Sequence, residues 1–323
     1  MRKTRIVVAT HGHCFDGMAS AALFTHLLQE LDPGATFELR YRSCGYGPGM
    51  SQVPEAWLDG DENAILDFRY TPTPRLTWYF DHHVTGFASP EEQDVATRKP
   101  TSAHVFFDPT YGSCTQLIAD VARDHFGVSA PGLAELTRWA DTIDAARFSS
   151  AESATARSEP ALQLASVVEH HGDGAFLAEF VPKLLDRPLL ELALAPEIQD
   201  KWRPLAAAET AFAQRVQGSA TEMGRVVLID LGDAPLDVAA KFVTYALFPR
   251  CMYSVTIIRT RQQCKVSVGY NPWCGAARLH DIASICRRYG GGGHPVVGAA
   301  AFPLSQLEQA RSAARVIAAE LAA

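Results

Sequence analysis

The chain has 323 residues, of which 47% are hydrophobic, with 29 Lys and Arg against 36 Asp and Glu for a net charge of -7. This composition excludes an intrinsically disordered chain, and the length suffices for about two domains that each bury a core. The acidic total argues against a protein that coats duplex nucleic acid, because such proteins carry broad basic surfaces.

The seven cysteines are scattered, and no two of them form a Cys-x-x-Cys pair. This spacing indicates neither a zinc ribbon nor a thioredoxin-like site, and reduced thiols are typical of a cytoplasmic protein. The apolar run Ile6 to Ala9 is much shorter than a signal-peptide core, and no apolar stretch approaches the roughly 18 residues of a membrane span. We therefore expect a cytoplasmic protein that has no membrane partner.

The first half of the chain alternates strand and helix patterns. Arg5 to Thr10 is a β-branched run that leads into a glycine-containing turn and then into the helical stretch Met18 to Leu31. A strand, a turn and a helix in this order indicate an α/β fold with a parallel sheet. Three further strands and two helical regions follow: Thr36 to Tyr41, Ala64 to Phe68, Leu76 to Phe80, Ser113 to Arg147 and Glu159 to Leu185.

An alanine-rich helical segment, Glu197 to Gln217, interrupts this order, after which the pattern begins again. The predicted elements of the second half are strand Arg225 to Asp230, helix Asp237 to Phe248, strands Tyr253 to Thr260 and Lys265 to Tyr270, and helices Leu279 to Tyr289 and Leu304 to Leu321. We therefore predict a first domain over residues 1–190, a helical linker over 191–217 and a smaller α/β domain over 218–323.

Acidic and histidine residues follow the predicted strands at the points where the strands end. The first turn reads HGHCFDG (residues 11–17), Asp67 ends the strand AILDF, and the triplet Asp81-His82-His83 follows the strand LTWYF. Ligands of open α/β sheets bind beyond the carboxyl ends of the strands. Imidazole and carboxylate groups together suit divalent metals such as Mn, Fe, Zn or Mg.

Each of these acidic residues also has a simpler interpretation. Asp16 is suitably placed to cap a helix, and Asp67 to begin a turn. Asp141 and Asp144 lie in a helical pattern, where either is consistent with a surface position. Taken together, however, these aspartates and the histidines His11 and His82 have the donor groups of a two-metal site. The aspartates supply the bridging carboxylate, and the histidines supply the nitrogen ligands.

The run GGGGHP at residues 290–295 is the strongest isolated signal in the chain. Glycines lack Cβ atoms and let backbone N–H groups approach an anion closely, and His294 adds a side-chain donor. One glycine would be enough to end the preceding helix. Four in succession before a histidine favour contact with a phosphate over a simple turn.

The order of these motifs resembles the DHH/DHHA1 phosphoesterase family over nearly the whole chain. The matching segments are HGHCFDGMASA at residues 11–21, LDF at 66–68, Asp81-His82-His83, FDPTYGSCTQLI at 107–118, Ala140-Asp141-Thr142, and DIASICRRYGGGGHPVVGAAAF at 281–302. The resemblance implies an α/β protein with an N-terminal parallel-sheet DHH domain and a smaller C-terminal α/β DHHA1 domain. It also implies an active site in the cleft between these domains.

The same resemblance implies two divalent metal ions that activate a water for attack on phosphorus. Mn²⁺ is the expected metal, with Zn²⁺, Fe²⁺ or Mg²⁺ as alternatives. Asp67, His82 and His83 would be catalytic, with Asp67 bridging the metals and His83 contacting the phosphate. The implied metal ligands are His11, Cys14, Asp16, Asp67, His82 and Asp141. The implied substrate-binding residues are His83, Gly291, Gly292, Gly293 and His294.

Two positions depart from the family pattern. Cys14 stands where the first motif commonly has its first Asp, which would make that metal position softer and more tolerant of Zn²⁺ or Fe²⁺, or leave it weakly filled. The strand KVSVGYN lacks the arginine that members often carry there, so Lys265 or Arg278 is a candidate substitute. Tyr270 and Trp273 are candidates for stacking on a base.

The leading hypothesis is a metal-dependent hydrolase of short single-stranded oligonucleotides, linear dinucleotides or bisphosphorylated mononucleotides. A polyphosphatase or pyrophosphatase is the second enzyme hypothesis. The third is a nucleotide-binding sensor that has lost hydrolysis through the thiol at Cys14. The expected partner is a small nucleotide or oligonucleotide, and the sequence leaves open whether the chain forms a homodimer.

Overall fold

The first sheet places the strand ends that carry the predicted site next to one another. A computed structural model describes residues 3–45, 52–98, 103–236 and 242–323. The strands of this sheet are β1 (Lys3–His11), β2 (Thr36–Cys44), β3 (Glu62–Leu66), β4 (Trp78–Asp81) and β5 (His104–Phe107). Their order is β2-β1-β3-β4-β5, and every pair is parallel. The predicted parallel sheet is confirmed, and β5 is a short strand that the sequence analysis missed.

The helices of the first half are more numerous than predicted, and the two long helical regions are divided. They are α1 (Phe15–Leu31), α2 (Pro90–Arg98), α3 (Cys114–Phe126), α4 (Ala134–Asp144), α5 (Ala151–Ala154), α6 (Pro160–His171), α7 (Gly174–Asp186) and α8 (Leu189–Leu194). The predicted helical region 113–147 is split because Gly127 ends α3 in the left-handed conformation. The region 159–185 is split as well, at Gly172, where α6 ends.

Helix α1 follows β1 after a turn of only three residues, and 13 of its 17 residues are buried. Gly17 permits this close approach, because a Cβ at that position would lie 2.0 Å from the carbonyl oxygen of His11. The Thr10 hydroxyl donates a hydrogen bond of 2.7 Å to the Gly17 carbonyl and fixes the turn. The first turn of α1, with Asp16, is thereby held beside the end of β1.

The second half of the chain contains a mixed sheet of six strands. They are β6 (Ala220–Met223), β7 (Val226–Leu231), β8 (Tyr253–Arg259), β9 (Gln263–Tyr270), β10 (Gly292–His294) and β11 (Val297–Pro303), in the order β10-β11-β9-β8-β7-β6. The helices are α9 (Pro196–Ser219), α10 (Val243–Leu247), α11 (Ile282–Arg287) and α12 (Leu307–Ala322). Of the predicted helix 237–248, residues 237–241 lie outside the described residues. The α/β class predicted for this half is confirmed.

The glycine run forms part of this sheet instead of an open loop. Strand β10 pairs antiparallel with β11, with Gly293 opposite Gly298. A Cβ on Gly291 would lie 2.0 Å from the Ala299 carbonyl oxygen, and one on Gly293 2.3 Å from that of Val297. The close packing of this hairpin therefore explains two of the glycines without any ligand.

The chain divides into two compact units. One contains Met1–Arg147 and Arg157–Trp202, and the other contains Phe148–Ala156 and Arg203–Ala323. The division falls inside helix α9, and the short helix α5 belongs to the second unit. Among the described residues, no helix combines the length and apolar character needed to cross a membrane.

Candidate metal centre

A cluster of nitrogen, oxygen and sulfur atoms lies at the carboxyl ends of the first sheet. Three overlapping groups have ligand atoms within 4.8 Å of one another: His11 with Cys14 and Asp67, Asp67 with His82 and His83, and Asp16 with His82 and Asp144. Asp67 and His82 each belong to two groups. The cluster therefore brings together five of the six metal ligands that the resemblance implies, and it contains Asp144 instead of Asp141.

Asp67 lies at the centre of the cluster. Its side chain is 1% exposed, and its oxygens lie 3.5 Å from His11 Nδ1 and 3.5 Å from His82 Nε2. Neither oxygen has a hydrogen-bond partner among the described residues. Burying unpaired carboxylate oxygens is costly unless a counter-charge compensates them, so this geometry fits a bound cation.

The backbone at Asp67 is held in a conformation that few residues other than glycine adopt. Its φ is +53°, in the left-handed region. The Asp67 N–H donates a hydrogen bond of 2.9 Å to the Phe80 carbonyl, which ties the end of β3 to the end of β4. Such strain costs about 1–3 kcal/mol and persists where the surrounding structure imposes it.

Asp16 is oriented by the first turn of helix α3. Its two carboxylate oxygens accept hydrogen bonds from the backbone N–H groups of Cys114, at 2.8 Å, and Thr115, at 3.0 Å. Unpaired N–H groups at a helix N-terminus attract negative charge. The carboxylate is thereby fixed with Oδ2 3.8 Å from His82 Nε2.

Asp81 orients the two histidines and does not join the cluster. Its Oδ1 accepts hydrogen bonds from the backbone N–H groups of His82 and His83 and lies 2.8 Å from His83 Nδ1. Its Oδ2 accepts a bond of 3.0 Å from the Tyr79 hydroxyl. A Cβ on Gly86 would lie 2.2 Å from the same oxygen, so a glycine is required beside it.

The tautomer of His82 follows from its partner. His82 Nδ1 lies 3.1 Å from the Tyr111 carbonyl oxygen, and a carbonyl can only accept, so Nδ1 carries the proton. Nε2 is left facing Asp67, Asp16 and Asp144, and it has no hydrogen-bond partner within the described part of the chain. An imidazole with Nδ1–H bonded to a carbonyl and Nε2 free is the usual arrangement of a metal ligand.

The two aspartates of helix α4 have different environments. Asp144 Oδ2 lies 3.4 Å from His82 Nε2, whereas Asp141 forms an ion pair of 2.6 Å with Arg147. Positions 141 and 144 lie on the same side of a helix, so the sequence pattern does not distinguish them. The structure thus separates Asp141 from the other implied ligands and adds Asp144, which the sequence analysis considered only as a surface residue.

The charges of the cluster shift the pKa values of its members in opposite directions. Burial opposes ionisation of Asp67, but His11 and His82 outweigh it and lower the pKa of Asp67 to about 2. Burial also opposes protonation of His82, yet Asp67 and Asp16 raise its pKa to about 9. Burial and the charge of Asp67 raise the pKa of Asp16 well above its usual range, and that of Asp144 in the same direction. Without a metal, the cluster therefore takes up protons as counter-charges.

Cys14 completes the part of the cluster around His11. Burial and the charges of Asp67 and Asp16 raise the pKa of the Cys14 thiol well above its ordinary value. A thiol in this setting ionises only when a cation replaces its proton. The donor set of imidazole, carboxylate and thiolate fits borderline divalent ions such as Mn²⁺, Fe²⁺ and Zn²⁺.

The turn that carries Cys14 is supported from the end of helix α6. The Gly172 carbonyl accepts hydrogen bonds from the His13 N–H, at 3.0 Å, and from the Ser43 hydroxyl, at 3.1 Å. A Cβ on Gly172 would lie 2.9 Å from His13 N. These contacts fix the HGHCFDG turn on the sheet, a role that the sequence analysis did not foresee.

The residues of the glycine run lie in the second unit. Gly291 precedes β10, Gly292 and Gly293 belong to it, and the exposed His294 ends it. These residues and the metal cluster thus belong to different units of the chain.

No family model and no curated protein matches the chain, but several solved structures do. The pGpG-specific phosphodiesterase PggH from Vibrio cholerae is 17% identical with a TM-score of 0.69, and 98% of each chain is covered. A DHH domain from a protein described as a member of a ribosomal protein family has a TM-score of 0.58 at 14% identity, covering 97% of this chain and 86% of that one. RecJ from Thermus thermophilus in complex with Mn²⁺ has a TM-score of 0.54 at 16% identity, covering 98% of this chain and 52% of RecJ.

These similarities, together with the two sheets, show which fold the chain has. It is the DHH/DHHA1 fold, in which an α/β unit with a parallel sheet precedes a second α/β unit. The fold expected from the resemblance of the motifs is therefore confirmed.

The cluster predicts how the stability of the metal-free protein depends on pH. The pKa of His82 is raised from 6.5 to about 9 on folding, so its protonated form stabilises the fold fully below pH 6.5, and this contribution is lost as the pH rises through 9. In EDTA the melting temperature should fall over this range, and saturating Mn²⁺ should remove the fall by replacing the proton.

Thermal unfolding of His82→Gln provides the comparison, with the exposed His125→Gln as the control. His82→Gln should flatten the pH dependence and His125→Gln should leave it unchanged. An equally steep fall in His82→Gln would show that another group is responsible.

Proposed function

We propose that the chain is a metal-dependent phosphoesterase that hydrolyses short oligonucleotides, linear dinucleotides or bisphosphorylated mononucleotides. The observation that carries this proposal is the buried Asp67 carboxylate, set between two imidazoles at 3.5 Å and without a hydrogen-bond partner among the described residues. The fold shared with a pGpG phosphodiesterase and with a manganese-bound RecJ supports it.

The proposed cofactors are two divalent ions, with Mn²⁺ the first choice. Asp67 would bridge them, and the other ligands would be His11, Cys14, Asp16, His82 and, in place of Asp141, Asp144. When bound, such ions polarise phosphoryl oxygens and lower the pKa of water.

His83 is the residue that we propose contacts the phosphate. Its side chain is 33% exposed, and Asp81 holds Nδ1 at 2.8 Å, which leaves Nε2 as the second donor. The hydrogen bond to Asp81, more than the charge of Asp67, raises the pKa of His83 and favours the imidazolium. A fixed cationic donor stabilises the charge that develops on phosphoryl oxygens during attack.

The proposed substrate contacts in the second unit are Gly291, Gly292, Gly293 and His294. Their support comes from the sequence resemblance, since two of the glycines are also required by the hairpin of β10 and β11.

Turnover should depend on Mn²⁺ and on the centre of the cluster. With a panel of linear dinucleotides and a 3′,5′-bisphosphorylated mononucleotide, Asp67→Asn and His82→Asn should each lower kcat by about 10³-fold or more, because they remove the bridging charge or a ligand. Asp59→Asn is the control, since Asp59 is 44% exposed and paired only with Arg40 among the described contacts.

Two results would contradict the proposal. Release of orthophosphate from polyphosphate without action on the dinucleotides would identify a polyphosphatase. Tight nucleotide binding without turnover under any metal would identify a sensor.

The thiol of Cys14 should be visible when the metal is Co²⁺. A thiolate bound to Co²⁺ gives a charge-transfer absorption in the near ultraviolet, which oxygen and nitrogen ligands do not give. The wild-type protein and Cys274→Ser, a variant at another partly exposed cysteine, should show this band, and Cys14→Ser should not. Equilibrium dialysis establishes that Co²⁺ is bound in each case. A band that persists in Cys14→Ser, or is missing from wild-type protein loaded with Co²⁺, would exclude Cys14 as a ligand.

A further inference from the structure

Arg147 is held in place by Asp141. Arg147 Nη1 donates a hydrogen bond of 2.6 Å to Asp141 Oδ2. The other oxygen of Asp141 is buried and has no hydrogen-bond partner in the described part of the chain. One oxygen of Asp141 therefore pairs with the guanidinium, and Asp141 belongs to none of the three ligand groups of the cluster.

The guanidinium rests on a glycine in the loop that supports His82. A Cβ on Gly112 would lie 2.6 Å from Arg147 Nη2 and 2.5 Å from Asp141 Oδ1, so any larger residue would displace the pair. The residue before it, Tyr111, accepts the hydrogen bond from His82 Nδ1. Two consecutive loop residues, Gly112 and Tyr111, thus connect Arg147 to the proposed metal ligand His82.

The turn that ends helix α4 contains both Asp144 and Arg147. Asp144 is the last residue of the helix, and Ala146 follows in the left-handed region with φ +51°. The chain then turns back, and the Arg147 N–H donates a hydrogen bond of 2.9 Å to the Thr142 carbonyl. One tight turn therefore carries both the Asp144 carboxylate and the Arg147 guanidinium.

Stability alone does not account for this arrangement. The Arg147 side chain is 57% exposed, and ion pairs at this exposure contribute little to the free energy of unfolding. Within the described ranges, only Nη1 of the guanidinium forms a hydrogen bond, so its other N–H donors remain available to a ligand. A guanidinium held at one edge presents a fixed fork that matches a phosphate.

We propose that Arg147 binds a non-bridging phosphate oxygen of the substrate at the metal cluster, and that Asp141 is the positioning residue that fixes the guanidinium. This inference rests on the proposed function and adds to it a specific anion contact from the first unit. A phosphate that approaches Asp16, Asp67 and Asp144 meets negative charge, and a guanidinium that binds the same phosphate offsets part of this repulsion.

Calorimetric titration of the Mn²⁺-loaded protein with inorganic phosphate tests the contact. Arg147→Ala should raise the Kd for phosphate by about 10- to 100-fold, as expected for a lost charge-assisted hydrogen bond. Arg147→Lys should recover part of the affinity, because it restores the charge without the fork. Arg123→Ala is the matched control, since Arg123 is also 57% exposed and paired with aspartates, and it should bind phosphate like the wild type.

The variant Asp141→Asn tests whether Asp141 positions Arg147 or binds a metal ion. If Asp141 positions Arg147, the variant should retain the wild-type Mn²⁺ content, raise the Kd for phosphate by several-fold, and raise KM for a dinucleotide more than it lowers kcat. Loss of Mn²⁺ from Asp141→Asn would overturn this role, and wild-type phosphate affinity in Arg147→Ala would overturn the contact.

A different set of results is expected if the protein is not a phosphoesterase. A wild-type protein that binds no Mn²⁺ and turns over no phosphoester would refute the phosphoesterase proposal. The phosphate titration repeated in EDTA still compares wild type with Arg147→Ala in that case. Equal affinities there would refute the anion contact as well, and a weaker variant would support it.

Discussion

The carboxylate of Asp67 is buried between the imidazoles of His11 and His82, with neither oxygen hydrogen-bonded among the described residues. The backbone of Asp67 has φ +53°, and its N–H donates a hydrogen bond to the Phe80 carbonyl, which ties the end of this strand to the neighbouring one. A buried charge in this position needs a counter-charge. The surrounding residues hold the other donor atoms of the cluster around the Asp67 carboxylate.

The groups that hold these donor atoms in place are not themselves proposed ligands. The first turn of helix α3 holds Asp16, the Tyr111 carbonyl sets the tautomer of His82, and Asp81 orients the following histidine. With these contacts in place, Asp16 Oδ2 and His82 Nε2 lie 3.8 Å apart, and His83 Nδ1 lies 3.6 Å from Asp67 Oδ1. Because these supports come from the sheet, from helix α3 and from the loop before it, the geometry of the donors is fixed before any metal binds.

Much of the fold and of the candidate site could be predicted from the sequence, because short apolar runs ending in polar residues place those residues at one edge of a parallel sheet. The pattern could not decide between Asp141 and Asp144, since both lie on one side of helix α4. The two aspartates differ because the chain turns at Ala146 and brings Arg147 into contact with Gly112, where it pairs with Asp141. The hairpin of Gly292–His294 with β11 was missed for a related reason, because strand pairing depends on a partner that a local motif does not reveal.

The proposed role of Asp67 is to bridge two divalent ions, and anomalous X-ray scattering from crystals grown with Mn²⁺ would locate such ions. If Asp67 has this role, two anomalous peaks should lie about 3.5–4 Å apart, one on each side of the Asp67 carboxylate. One peak should lie near Cys14 and His11, and the other near His82 and Asp144. Well-diffracting crystals that show no peak within bonding distance of Asp67, or a single ion bound by Asp141, would contradict it.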